Sequence, residues 1–248
     1  MDDHALAAAL AKKAGDALAG LRRRVQITGG SSWSLRDDGD QLGHDLLVEE
    51  LAELRPDDIV FSEEGVEDRR RLDAARTWIV DPLDGSHDYG FFDSIEWAVH
   101  VALVEGGRWT AGAVAVPGLN RTFDTATVEL AAPPPERAPM VICGRSNVYF
   151  AREVADVLDA RLTACGSSGV KAMFVVDGAA DVYVHASGLY EWDVCAPAAV
   201  AEAAGLVVTD IHGQPIEYNK PRPVVEGFVV ARPEYADVTR HRLDQLLG

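Results

Sequence analysis

Trp78-Ile-Val-Asp81-Pro-Leu-Asp84-Gly-Ser86 is an apolar run that ends in two carboxylates, a glycine and a hydroxyl. Trp78 to Val80 reads as a buried strand that stops at Pro82, because proline lacks an N–H and fixes φ. Asp81 and Asp84 then sit on a short turn, and Gly85 lets the backbone approach a ligand closely. Two carboxylates and exposed backbone groups at a strand end suit a hard divalent cation, with room for a phosphate. An ordinary Asp-Pro turn finished by Asp84-Gly85 is the plainer reading of the same residues.

Two further acidic clusters weigh against the plain turn. Glu63-Glu64-Gly65 follows the β-like run Ile59-Val60-Phe61, and Glu191-Trp192-Asp193 opens an Ala-rich helix. Three acidic clusters, each at an element boundary, look like contributions to one oxygen-ligand site. In that order, Glu63-Glu64, Asp81-Pro-Leu-Asp84-Gly85-Ser86 and Trp192-Asp193 resemble the motifs of the inositol monophosphatase superfamily, lithium-sensitive Mg²⁺-dependent phosphatases. The resemblance implies a layered αβαβα sandwich of mixed α/β (α+β) class, with the active site between its halves. It also implies two or three Mg²⁺ ions and, as a family expectation, a homodimer.

The family's roles carry over by motif. Asp81 would bridge two metals, and Glu63 and the Leu83 carbonyl would complete the ligands of the first ion. Asp84 and Asp193 would hold the second, and Glu63 would also reach a third. Ser86, bonded to an acid such as Asp40, would orient and deprotonate the attacking water. The Gly85 and Ser86 amides would bind phosphate oxygens. Ser86 stands where threonine is usual, which keeps the hydroxyl and loses the methyl that stiffens χ1. Asp37 and Asp38 are alternatives to Asp40, and any of the three also reads as a helix cap.

Three details resemble the bisphosphate nucleotidase branch, which removes the 3′-phosphate of 3′-phosphoadenosine 5′-phosphate. They are Ser86-His87-Asp88-Tyr89, Gly144-Arg145-Ser146-Asn147, and Gly166-Ser167-Ser168-Gly169 with Lys171. Exposed amides, the hydroxyls of Ser167 and Ser168, Arg145 and Lys171 would suit a second phosphate. Each also has a plain reading: Ser167 as a cap, Arg145 paired with a surface acid, Lys171 as a solvated helix lysine. His87 and His185 lack metal-ligand spacing, and His100, within an apolar strand, reads as a satisfied core or pocket-edge histidine. An inositol or sugar phosphatase, and a non-catalytic phosphate- or metal-binding protein, are the competing functions. No serine sits in a nucleophile-elbow sequence, so a Ser/His/Asp hydrolase is not supported.

Around these motifs the chain of 248 residues is 48% hydrophobic and 25% charged, the balance of a globular protein with a substantial core. Its formal net charge of −17 argues against a nucleic-acid polymer or an anionic membrane as partner. The N-terminus lacks the pattern of a signal peptide and no apolar run is long enough to span a bilayer. Cys143, Cys165 and Cys195 have no metal spacing, so reduced core thiols in a cytoplasmic protein are expected.

Helical spacing runs from Asp2 to about Arg24, with Arg22-Arg23-Arg24 as a cationic last turn. Thr28 to Gly39 is polar and Gly/Ser-rich and reads as a mobile loop, with a second helix from Asp40 to Leu54. Apolar runs at 98–104, 110–116, 121–124 and 127–130, separated by turn residues, read as an antiparallel meander. Proline-rich 131–139 is the clearest linker and divides the chain into residues 1–132 and 139–248. Beyond it, strands alternate with helices.

Overall fold

A computed structural model describes residues 1–248. The elements run α1 (Asp3–Thr28), α2 (Ser32–Leu54), β1 (Ile59–Ser62), β2 (Arg76–Asp84), a one-turn α3 (Ser86–Tyr89), β3 (Ala98–Glu105), β4 (Arg108–Val116) and β5 (Arg121–Asp124). They continue with β6 (Met140–Cys143), α4 (Val148–Val157), β7 (Arg161–Ala164), α5 (Ser168–Val176), β8 (Val182–Tyr190), α6 (Glu191–Ala203), β9 (Val207–Thr209), β10 (Val224–Ala231) and α7 (Pro233–Leu247). The first sheet has the order β1-β2-β3-β4-β5, parallel at β1–β2 and an antiparallel meander thereafter. The second has the order β7-β6-β8-β10-β9, parallel around β6 and antiparallel from β8 onward.

Hydrophobic patterning stacks these sheets in five layers. One face of the first sheet (Trp78, Val80, Val99, Val101) packs on α1 and α2 through Leu6, Leu10, Leu18 and Leu47. Its other face (Ile79, Ala98, Ala102, Val114) meets α5 and α6, which also cover Tyr183, Phe228 and Val230 of the second sheet. The outer face of the second sheet is closed by α4 and α7. The expected αβαβα sandwich is therefore the observed fold. Strongly apolar α5 and α6 lie between two sheets because neither has a polar face to give to water.

Local structure departs from expectation at four places, each for an identifiable reason. The strand does not stop at Pro82; β2 continues to Asp84 through a bulge. Asp81 pairs with His100 and Asp84 with Ala98, so Pro82 and Leu83 together face the single residue Val99. The segment 28–39 is not a loop beyond Gly30: Ser31 accepts the Trp33 amide and caps α2, which starts eight residues before Asp40. Asp40 therefore lies inside the helix rather than at its start. Residues 127–130 form no strand, because the Asp124 carboxylate takes the Ala126 and Thr127 amides and the Thr127 hydroxyl. Finally, α1 runs on to Thr28, so Arg22 is not in its last turn; its guanidinium donates to the Ser94 and Phe91 carbonyls.

Gly39 and Gly43, one turn apart on α2, face the β2 bulge. A Cβ at Gly43 would lie 2.9 Å from the Pro82 carbonyl oxygen, and one at Gly39 would lie 3.0 Å from Leu83 and 2.7 Å from Tyr89. The helix backbone thus rests directly on the bulge that carries both aspartates. Replacement of Gly43 by valine should force the two apart and cost about 1–3 kcal/mol of stability. Equilibrium urea unfolding measures this, and unchanged stability would show that α2 does not press on Pro82.

Candidate active site

Strand residues alternate between faces, so Asp81 and Asp84, three apart, would point to opposite sides of a regular strand. The bulge inserts one residue and returns both to the inner face, toward α5 and α6. Carboxylate oxygens of Asp81, Asp84 and Asp193 all lie within 4.8 Å of one another. Asp193 arrives from the first turn of α6, where its Oδ2 accepts the Tyr190 amide at 3.0 Å. Glu63 follows β1, which pairs in parallel with β2 up to Ser62–Val80, so it emerges beside Asp81.

The two central aspartates have opposite surroundings. Asp81 Oδ1 accepts the Leu83 amide at 3.0 Å, whereas its buried Oδ2 has no hydrogen-bond partner. Burial, reinforced by Glu63, Asp84 and Asp193, pushes the Asp81 pKa well above the usual carboxylate range. Burial would do the same to Asp84, but its donors outweigh it and hold the carboxyl well below that range. Ser167 Oγ donates at 2.5 Å, the Gly169 amide at 2.7 Å and the Ser168 amide at 3.2 Å, while His100 Nε2 approaches to 3.1 Å. Asp84 thus occupies the N-terminus of α5, where unpaired amides favour an anion.

The surrounding acids are raised. Burial, Asp193 and Glu64 lift Glu63 to about 7. Burial and Asp84 lift Asp193 to about 6, against His100, Tyr190 and Lys171. Burial, Glu64 and Asp37 lift Asp40 to about 7, whereas Asp37 and Asp38 are exposed on α2. No hydrogen bond joins Asp40 to Ser86. Gly85 has φ of 85°, and a Cβ there would strike the Glu96 carbonyl, so the turn after Asp84 requires glycine.

A cavity of about 340 Å³ opens beside Asp84 and Asp193, with Arg145, Ser168, Lys171 and His185 in its wall. That volume is within the range of small-ligand sites, roughly 300–1,000 Å³. A larger cavity of about 430 Å³ lies between α1 and β4–β5. Its one carboxylate, Asp16, is paired with Lys12 at the surface, and no carboxylate cluster adjoins it.

The residues fit a divalent cation. All the converging donors are oxygens, and the buried Asp81 Oδ2 lacks any donor among protein groups. The model of the inositol monophosphatase family matches residues 2–132 and 140–244. The chain belongs to the inositol monophosphatase family. The 3′-phosphoadenosine 5′-phosphate phosphatase of Mycobacterium leprae is 38% identical over 96% of this chain and 92% of its own length. The 3′(2′),5′-bisphosphate nucleotidase CysQ of Escherichia coli strain K12 is 30% identical over 85% and 91%. Among solved structures, CysQ from Bacteroides thetaiotaomicron superposes with a TM-score of 0.73 at 25% identity, covering 92% of this chain and 96% of its own. Mycobacterium tuberculosis SuhB has the same fold, with a TM-score of 0.70 at 24% identity over 98% and 95%.

The structure brings Asp81, Asp84 and Asp193 together, with Glu63 close enough to feel all three; Leu83, Gly85 and Ser86 flank Asp84 along the chain, and Asp40 feels the charge of Glu64. The segment 166–171 reaches the site differently from its expected exposure. Ser167 caps α5 by accepting the Val170 amide and also donates to Asp84. Lys171 is buried, not solvated: its Nζ donates to the Cys165, Gly166 and Ser167 carbonyls at 3.3, 2.5 and 2.7 Å. Arg145 is paired with Asp88, at 2.9 and 3.1 Å, and with Glu96. His100, expected in the core or at a pocket edge, lies against Asp84. Its position within the apolar run 98–104 gave no sign of that partner, because the contact depends on strand register. The three cysteines are free and buried as expected, and no helix is long and apolar enough to cross a membrane.

The raised acids set a pH dependence. A carboxyl whose pKa rises on folding keeps its proton in the folded chain after the unfolded chain has released it, and that stability is lost as pH climbs through the folded value. Glu63 and Asp40, raised from 4.5 and 3.8 to about 7, spread the loss between those values and complete it above about 7. Chelator-treated protein should therefore melt at progressively lower temperature as pH rises from about 4.5 to about 7, and a saturating divalent cation should flatten the trend. A rising melting temperature over that interval would contradict the crowding of these carboxylates.

Proposed function

We propose that this chain is a magnesium-dependent phosphomonoesterase that converts 3′-phosphoadenosine 5′-phosphate to AMP. The observation that carries the reading is its similarity, over nearly the whole length, to a relative named for that phosphatase. The oxygen-only cluster beside a cavity with Arg145 and Lys171 in its wall supports it. Asp81, Asp84, Asp193, Glu63 and the Leu83 carbonyl are the donors for two or three Mg²⁺ ions. Such ions offset phosphoryl charge, make water more acidic and stabilise the leaving oxygen.

The chain's own groups then divide the remaining work. Asp40, lifted to about 7 and not among the metal donors, suits proton transfer near neutrality, while Glu63 serves the reaction as a metal donor. In this reading Ser86 Oγ orients the attacking water and passes its proton toward Asp40. Backbone amides at Gly85 and Ser86 receive phosphoryl oxygens. Arg145 exchanges its bonds to Asp88 and Glu96 for the second phosphate, which its planar fork fits in two-point fashion. Ser167, Ser168 and Lys171 form the adjoining wall; Lys171, whose three donors are engaged by carbonyls, contributes its charge. Residues 1–132 and 139–248 act as two halves that together complete the site. The same reading includes a cytoplasmic homodimer, sensitive to lithium, with a small soluble nucleotide as its partner.

An inositol or sugar phosphate would use the same carboxylates and differ in its demands on segments 144–147 and 166–171. Phosphate release from a panel of 3′-phosphoadenosine 5′-phosphate, its 2′-phosphate isomer, inositol 1-phosphate, fructose 1,6-bisphosphate and AMP separates them. Strong preference for the first is expected, with loss of activity in chelator; preference for an inositol or sugar ester would move the substrate and keep the metal chemistry. Asp84→Asn should nearly abolish turnover while circular dichroism stays native. Unimpaired turnover in that variant would reject the carboxylate cluster as the reaction centre.

A further inference from the structure

We propose that His100 is a positioning residue that sets the separation of Asp84 and Asp193, and that position 169 is glycine because the His100 imidazole fills the space of its Cβ. The inference rests on the metal-site reading above. His100 stands on β3 directly opposite Asp81 and is wholly buried between the first sheet and the middle helices. Its two ring nitrogens face different elements. Nδ1 lies 3.1 Å from the Trp192 carbonyl oxygen, and since a carbonyl only accepts, Nδ1 is the donor. Nε2 lies 3.1 Å from Asp84 Oδ2, a close polar approach without the alignment of a full hydrogen bond.

Trp192 immediately precedes Asp193 in the first turn of α6. One rigid ring therefore spans from a carboxylate on β2 to the backbone beside a carboxylate on α6. These two like charges repel each other, and α6 and β2 are joined by no short connection that would hold them at a given distance. The imidazole supplies that distance. Its own position is fixed by β3, which pairs with β2 along its whole length.

Gly169 gives an independent observation. It lies in the first turn of α5, and its φ is outside the left-handed region, so its backbone does not call for glycine. Alanine is the better helix former at such a position. A Cβ there would nevertheless overlap His100 Nε2. The absent methyl is thus matched to the ring, and the ring and the Gly169 amide meet the same oxygen, Asp84 Oδ2. Partners of this kind orient ligands, and their removal typically costs roughly 10- to 100-fold in metal affinity.

The test is calorimetric titration of the full, chelator-treated chain with magnesium chloride, alongside melting of the metal-free protein. His100→Ala and Gly169→Ala should each weaken magnesium binding by about 10-fold or more. The double variant should lose no more than His100→Ala alone, because the added methyl then enters vacated space. His100→Asn, whose amide can imitate Nδ1 and keep the Trp192 contact, should retain more affinity than His100→Ala and guards against a variant that fails to fold. Unchanged affinity in the single variants overturns the proposal, as does a double variant whose losses multiply. A lowered metal-free melting temperature with unaltered magnesium affinity also overturns it, since that is the signature of packing alone. If the unaltered chain binds no magnesium, the metal-site reading fails and carries the inference with it.

Discussion

Asp81 is a buried carboxylate with one oxygen that has no hydrogen-bond partner, and three other carboxylates crowd around it. Isolated negative charge in such a place is costly, and each added like charge makes it worse. The crowding persists because elements from several layers are pinned by contacts elsewhere. β1 and β2 are locked in a parallel pair, α6 is clamped between two sheets, and the bulge in β2 is held against α2. The fold's hydrophobic layers thereby hold together charges that would separate if left free, and a cation is the natural complement of the arrangement.

The neighbouring Asp84 shows the opposite solution to the same burial. It is stabilised from within by the first turn of α5, by the Ser167 hydroxyl and by His100. Lys171 completes this support from below, since its bonds to three successive carbonyls gather residues 165–167 into the loop whose following amides face Asp84. Two aspartates on one bulge thus differ in kind: one is supplied with donors by the protein, and the other is left short of them. That asymmetry is the feature from which the chemistry of the site follows.

The acidic motifs and their order were legible from residue types alone, because carboxylates at strand and helix ends have few structural uses that recur three times in one chain. So were the alternation of apolar runs and the capping role of Ser167, whereas the five-layer class came only with the family resemblance that the motifs carry. The start of α2 was not: a Gly/Ser-rich stretch has the composition of a loop, and only contact with Pro82 and Leu83 makes Gly39 and Gly43 useful inside a helix. The strand expected at 127–130 was lost to a local competitor, the side chain of Asp124. Lys171 reads as a surface residue until the carbonyls that surround it are in place.

What the sequence by itself determined is the inventory: which carboxylates exist, which elements bear them, and that a proline stands between Asp81 and Asp84 and a glycine follows them. Its period of two assigns Asp81 and Asp84 to opposite faces. Only pairing with β3, where two residues face the single Val99, turns both toward α5 and α6 and sets His100 beside them. Register is a property of two strands at once, since a bulge is defined by what lies across from it. For that reason the carboxylate cluster, and the histidine within it, were decided by the tertiary structure.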